Sequence, residues 1–456
     1  MTDRRWRIKN LLLQIKTSHN DHHEIARGIL WVSLFICLGK IVGATKEMAI
    51  AYRYGISPEV DAYLYIFNLA SWPVSVWSSI LTVVLVPITI NIQKKPLVGI
   101  AHFRAELLGF TILISGSLML LEWLGLPTLV NSTLIGLPVE SVKIASHMTF
   151  GLSLIIPLGM TASLFSTWIL SRGRQVNSLF ECLPASGLLL FIVLSPSASA
   201  QNLIWGTVSG YILYVIVILI YFNNTEEIEW PRLSYKSQHW TPFWRGFSII
   251  IIGQALMSFM TIIDQFFAAH MDVGSISTVN YANRILGIFT SLGVLTISRA
   301  TLPVFSKNQE KSTEKLRHLK TIGFRWTWFI FGISLVLLLI LWILSPNIVK
   351  LLFERGAFTP KNTLEVSDLL RIYLIQLPFY CSGIVLVSLL ASQQWYLLIA
   401  FSGISNLFFK ILSNWILVPF MGIYGIAMST SIMYIFSLLL LYLLINFKFS
   451  ESHTVK

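Results

Sequence analysis

The sequence predicts an all-α polytopic membrane protein, with about twelve transmembrane helices in two six-helix, pseudo-symmetric lobes around a central cavity. Three observations carry that expectation. The 456 residues are 55% hydrophobic and only 12% charged, with a mean hydropathy of +0.71, more oil than a soluble surface of this length tolerates. The apolar stretches have helical length, near the ~20 residues that cross ~30 Å of hydrocarbon, and lack the two-residue alternation of barrel strands. The longest polar connection, 223–241, falls midway, and the halves on either side of it look alike.

In chain order, residues 1–27 are a basic, weakly amphipathic lead-in suited to the cytoplasmic lipid surface. No small-residue cleavage site follows, so a signal peptide is not expected. His19, His22 and His23 within it read as a solvated loop rather than a metal site. Spans are expected near 28–50, 62–91, 106–125, 144–170, 178–195, 202–222, 245–268, 277–305, 324–345, 367–393, 396–419 and 422–446. These give an N-lobe over 28–222, a cytoplasmic linker over 223–244, a C-lobe over 245–446 and a cytoplasmic tail over 447–456. Pro73, Pro157, Pro184 and Pro378 fall inside spans, where proline kinks a helix and frees a carbonyl.

The net charge of +12 points to the membrane surface and not to nucleic acid. Lys94, Lys95, Arg104, Arg172, Arg174, Arg232, Lys236, Arg245 and the run from Lys307 to Arg325 all lie in or beside even-numbered connections. Odd-numbered ones such as 195–201 and 419–425 carry few charges or none. The positive-inside rule therefore puts both termini in the cytoplasm. The halves echo one another: LTVVLVPITINIQKK closes span two and ISRATLPVFSKNQEK closes span eight, with Pro87 and Pro303 lying 216 residues apart. Parallel six-helix repeats are a transporter layout, with the site at the lobe interface. Cys37, Cys182 and Cys381 show no metal or disulfide spacing.

Charges inside the spans are the functional signal, because each is costly unless it faces protein or a wet cavity. At 1.5 Å per residue Lys40 lies ~18 Å into span one and Arg284 ~11 Å into span eight. Both reach the middle third from equivalent hairpins. Lys46 lies nearer the outside, and Arg299 is expected to snorkel to the cytoplasmic surface. A cavity holding Lys40, Lys46 and Arg284 selects an anion such as a phosphate or diphosphate. Glu47, Arg53 and Asp61 read as gating or rim residues, with Lys46–Glu47 and Arg53–Asp61 as local pairs. Asp264 in span seven needs a buried counter-charge, which Lys410 in span eleven can supply. No Walker loop, paired histidines or nucleophile elbow stands out, so no catalytic residue, metal or cofactor is expected.

Three stretches carry a family resemblance: GKIVGATKEMAIAYRYGISPEVDAYLYIFNL, VGSISTVNYANRILGIFTSLGVLTISRATLPVFSK and VKLLFERGAFTPKNT. Together they cover about a quarter of the chain and resemble the MviN/MurJ family, the lipid II flippases of bacterial peptidoglycan synthesis. That family lies within the multidrug/oligosaccharidyl-lipid/polysaccharide exporter superfamily. The resemblance implies lobes alternating around a cationic cavity, with Lys40 and Lys46 at usual arginine positions, Arg284 at the eighth-helix arginine and Asp61 at the acid of the first outer turn. Departures are visible. Span two, LASWPVSVWSSILTVV, lacks the family's arginine pair, and the chain stops soon after span twelve. Some members bind sodium through an Asp in span seven and Asn-x-x-x-Asp in span eleven. Asn406 and Lys410 stand at the latter positions, a cation where an acid is expected, which predicts a Lys410–Asp264 pair in place of sodium.

The expected function is translocation of a polyprenyl-diphosphate-linked glycan, lipid II foremost, from the inner to the outer leaflet of the bacterial cytoplasmic membrane. An O-antigen or exopolysaccharide precursor, a drug/cation antiporter and a non-transporting scaffold are the alternatives. Expected partners are the lipid-linked substrate, the bilayer and cell-wall synthesis enzymes, with no nucleic acid.

Overall fold

The structure, a computed structural model, describes residues 38–93, 100–132, 135–172, 176–224, 229–306 and 313–454. The lead-in 1–27 with its histidines, Cys37 and several loop cations lie outside them. The elements are α1 (38–54), α2 (Pro58–Gln93), α3 (Ile100–Val130), α4 (Val139–Leu152), α5 (Ile155–Ser171), α6 (Asn177–Phe180), α7 (Leu183–Leu194) and α8 (Ala200–Asn223). After the linker come α9 (Trp240–Ala269), α10 (Ser275–Ser306), α11 (Thr313–Phe353), α12 (Pro360–Leu374), α13 (Gln376–Ser392), α14 (Tyr396–Met421) and α15 (Ile423–Thr454). No strand occurs among the described residues.

By length and apolarity seven units can cross a bilayer, or nine when α4–α5 and the bent α9 each count as one. The other three expected places fall, in chain order, to α1, α6–α7 and α10. α7 has only 12 residues, roughly 18 Å of helix and less than a bilayer's hydrocarbon. The expected span at 178–195 is therefore met by a short helix.

Local chemistry explains the breaks. Pro157 cannot donate to the carbonyl of Ser153, which instead accepts from the Ile156 amide at 3.0 Å, one residue short of the helical register. α4 and α5 consequently meet at 42°. Pro184 occupies the first turn of α7, where a missing N–H costs nothing. α12 starts on a capping box, with Thr359 Oγ1 accepting from the Asn362 amide and the Asn362 side chain accepting from the Thr359 amide.

Within the first lobe α2 packs on α4 and α5, and α7 lies along α8. There an added Cβ on Gly187 would fall 2.3 Å from Gly210 Cα, the close approach that small residues permit between membrane helices. Within the second lobe α10 and α11 pack on α12 and α13, and α14 on α15. The lobes meet through α2 with α9 and α10, where Trp72 Nε1 donates to Ser258 Oγ at 2.9 Å and Trp77 rests edge-on against Phe247.

The α1–α2, α3–α4, α7–α8, α9–α10 and α11–α12 connections gather at one end. Gly136 abuts His270, Gly55 abuts Ala357, and Tyr54 Oη donates to Ser199 O at 2.9 Å. This is the grouping that alternating spans require of the odd-numbered connections. The linker follows α3: the Arg232 amide donates to Ala105 O at 2.9 Å. Buried Glu106 accepts from Ser234 Oγ, Trp240 Nε1 (2.7 Å) and the amides of Lys236 (2.9 Å) and Ser237 (3.2 Å).

Candidate functional site: a charged cavity between the lobes

A cavity of about 560 Å³ lies between α1, α2, α7 and α8 of the first lobe and α10 and α11 of the second. Lys40, Lys46 and Arg284 all line it. α1 brings the two lysines, six residues apart and roughly 9 Å along the axis, to the cavity wall. Lys40 is exposed, and among the described residues no ion pair engages it. Lys46 is engaged, with its Nζ 2.8 Å from Glu47 Oε1.

Glu47 is not at the rim. It is buried, 4% exposed, and lines the same cavity. Its Oε1 also lies 3.1 Å from Arg284 Nε. Glu47 thus ties a lysine of its own helix to an arginine of the opposite lobe. The arrangement is chemically poised: one carboxylate restrains two cations that an incoming anion would compete for, while Lys40 stays unengaged nearer the start of α1. Glu181 also lines the cavity, which tempers its positive charge.

The expected Arg53–Asp61 pair does not form. The Arg53 guanidinium donates instead to the Ser195 carbonyl in the α7–α8 turn. Buried Asp61 turns to the second lobe, accepting from the amides of Gly274 and Ser277 (2.7 Å) at the N-terminus of α10. A carboxylate suits that position, because unpaired N–H groups and the helix dipole concentrate positive potential there. Beside it Tyr281 Oη donates to Gly55 O at 2.9 Å and the Ala357 amide donates to Tyr52 O at 2.8 Å. These contacts seal the cavity's turn end.

Seal formation depends on two glycines. Gly55 and Gly356 hold φ near +59° and +60°, a region costly for side chains with Cβ. A Cβ on Gly55 would meet Ala357 O at 2.6 Å, and one on Gly356 would meet Tyr52 O at 2.3 Å. Backbones of the two lobes touch here directly.

A second cavity of about 370 Å³ adjoins the first and shares Asn283, Arg284 and Gly287 with it. Asp264 and Lys410 line it and are paired at 2.8 Å, as their charges predict. Asn406 is not with them; it donates to Ser437 Oγ at 2.9 Å. Asn414, one turn beyond Lys410, takes that place and donates to Asp264 Oδ1 at 3.1 Å. Residues at i−4 and i+4 share a helix face, so spacing points equally to Asn406 and Asn414. Only the position of α9 chooses. Asn68, Gln265, Asn280 and Gln376 also line this cavity. Amides in apolar spans were the available signal for them. The side chain of Arg299 lies outside the described residues.

The two packed lobes and the charged cavity between them define a membrane transporter fold. Sequence comparison gives the family: the "Lipid II flippase MurJ" model matches residues 50–454, and the chain belongs to that family. A protein of Buchnera aphidicola subsp. Baizongia pistaciae, named a probable lipid II flippase MurJ, is 21% identical over 384 residues, 80% of this chain and 72% of that protein. One of Helicobacter pylori strain J99 with the same name is 29% identical over 211 residues, 46% of this chain and 45% of that protein. Among solved structures, a lipid II flippase MurJ in its inward closed conformation superposes with a TM-score of 0.79 at 20% identity, covering 91% of this chain and 87% of that one. An inward-facing MATE family transporter reaches 0.69 at 14% identity, covering 92% and 96%. The expected fold class and family both stand.

Proposed function

We propose that this chain moves a polyprenyl-diphosphate-linked glycan, lipid II, from the cytoplasmic to the outer leaflet of the bacterial cytoplasmic membrane. The observation that carries this reading is the convergence of Lys40 and Lys46 from one lobe with Arg284 from the other on a single cavity. The substrate's diphosphate would exchange the Glu47 carboxylate for its own oxygens on Lys46 and Arg284, with Lys40 as the first cation met. Arg284 offers a planar fork, and the lysines act as point charges. The second cavity, with its wall of amides, gives the hydroxyl- and amide-rich head group room beside the diphosphate while the polyprenyl tail stays in lipid.

Orientation follows from charge. The basic connections lie on the cytoplasmic side, so the sealed turn end is the outer one and the conformation is closed to the outside. Head-group entry would weaken the Glu47–Arg284 tie between lobes, and rocking about that interface would then open the outer seal. A drug/cation antiporter would want acids in excess in the cavity. Here Glu47 and Glu181 face three bases, Lys40, Lys46 and Arg284, and Glu47 is committed to two of them.

The test is complementation of cells depleted of their lipid II flippase. Wild-type chain is expected to restore growth, and Lys40→Ala and Arg284→Ala to fail at equal membrane abundance. Rescue by both variants sinks the assignment of the diphosphate to these residues. Failure of the wild type to rescue, with normal abundance, sinks lipid II as the substrate.

A further inference from the structure

The family resemblance raises sodium at the second lobe's Asp264, and the residues there do not fit it. Lys410 is 1% exposed and its ammonium is enclosed by oxygens. It lies 2.8 Å from Asp264 Oδ1, 3.0 Å from Ser429 Oγ and 3.2 Å from Ile426 O, with Thr430 Oγ1 as the fourth partner. These acceptors come from α9 and α15, and Lys410 itself from α14. A carboxylate, two hydroxyls and a carbonyl converging on one point form an oxygen cage of the kind hard cations take. Asn414 closes it, donating to Asp264 Oδ1 and accepting from Ser429 Oγ. A metal ion entering this cage would sit at contact distance from a buried like charge, with its ligands already bonded.

We propose that Lys410 is a tethered cation: its ammonium takes the place of a free alkali ion, and the second lobe joins α9, α14 and α15 without taking one up. The cationic group that elsewhere would arrive from solution is here covalently attached to the chain. This inference goes beyond the proposed substrate and is tested without any transport assay.

The experiment is thermal unfolding of the purified full-length chain in nanodiscs, with sodium chloride titrated against choline chloride at constant ionic strength. The wild-type melting temperature is expected to stay flat. Lys410→Ala, which leaves Asp264 and the hydroxyls facing a vacated space, is expected to melt several degrees lower. It should recover saturably with sodium or with ethylammonium, which replaces the lost charge. The apolar Lys410→Met, which keeps the space filled, should not recover. If Lys410→Ala does not fold, the paired change Asp264→Asn with Lys410→Met removes both charges and is expected to fold with a flat sodium response. Saturable stabilisation of the wild type by sodium overturns the proposal. So does a folded Lys410→Ala that neither sodium nor ethylammonium stabilises, or a sodium response in the paired variant.

Discussion

Replacing Asp61 by asparagine should open the sealed end of the molecule. The carboxylate accepts the amides of Gly274 and Ser277, two donors that α10 cannot satisfy internally because they stand at its first turn. Asparagine keeps one acceptor oxygen but turns an NH₂ toward the other amide. One charge-assisted bond is lost, worth ~1.5–3 kcal/mol, together with the favourable placement of a negative charge at a helix N-terminus, worth ~0.3–1 kcal/mol. The closed state alone contains these bonds, since they span the lobes; in the open state water takes both donors. The closed-to-open equilibrium should therefore shift by about 2–4 kcal/mol, on the order of 30- to 1,000-fold. A spin-label pair placed on the α1–α2 and α11–α12 turns measures it directly. The wild type should give one short distance, and Asp61→Asn a substantial long-distance population. An unchanged distance distribution in a folded variant would refute the role given to this carboxylate.

Gly356→Ala should act on the same equilibrium, because a Cβ there meets the Tyr52 carbonyl at 2.3 Å and adds ~1–2 kcal/mol of left-handed strain. The spin labels should separate, whereas Gly116→Ala, with nothing within 4 Å, should leave them alone. In the cavity, Lys40→Ala should weaken binding of a polyprenyl diphosphate more than Lys46→Ala, because Lys46 is already paired with Glu47. Equal losses in a lipid-binding titration would count against Lys40 as the free cation. Glu106→Ala should release the linker, costing ~2–4 kcal/mol as a buried charged acceptor disappears. Faster tryptic cleavage at Arg232 and Lys236 reports it, and an unchanged cleavage rate excludes it.

The class of protein was legible in the sequence because bilayer burial is a property of composition and segment length, which need no neighbours. The intramembrane charges were legible for a related reason. A buried ion must be compensated somewhere, so Asp264 called for a cation and Lys410 was available to supply it; the two lie 2.8 Å apart. Lys40, Lys46 and Arg284 were selected by depth along their helices, and depth survives folding because helical rise is constant.

Tertiary structure decided which groups those charges met. The family's Asn-x-x-x-Asp spacing singled out Asn406, but helix phase gives a face and not the helix opposite it, and α9 stands beside Asn414 instead. Glu47 looked like the local partner of Lys46 alone. Only the approach of α10 made it the tie between lobes. Arg53 and Asp61 resembled a pair because both are charged and near in sequence, yet a backbone carbonyl at Ser195 and the bare amides at Gly274 and Ser277 took them instead. Every residue carries such backbone groups, so they leave no mark on a sequence. The side chains and ends of helices left without partners, and so free to bind, are fixed only when the helices pack.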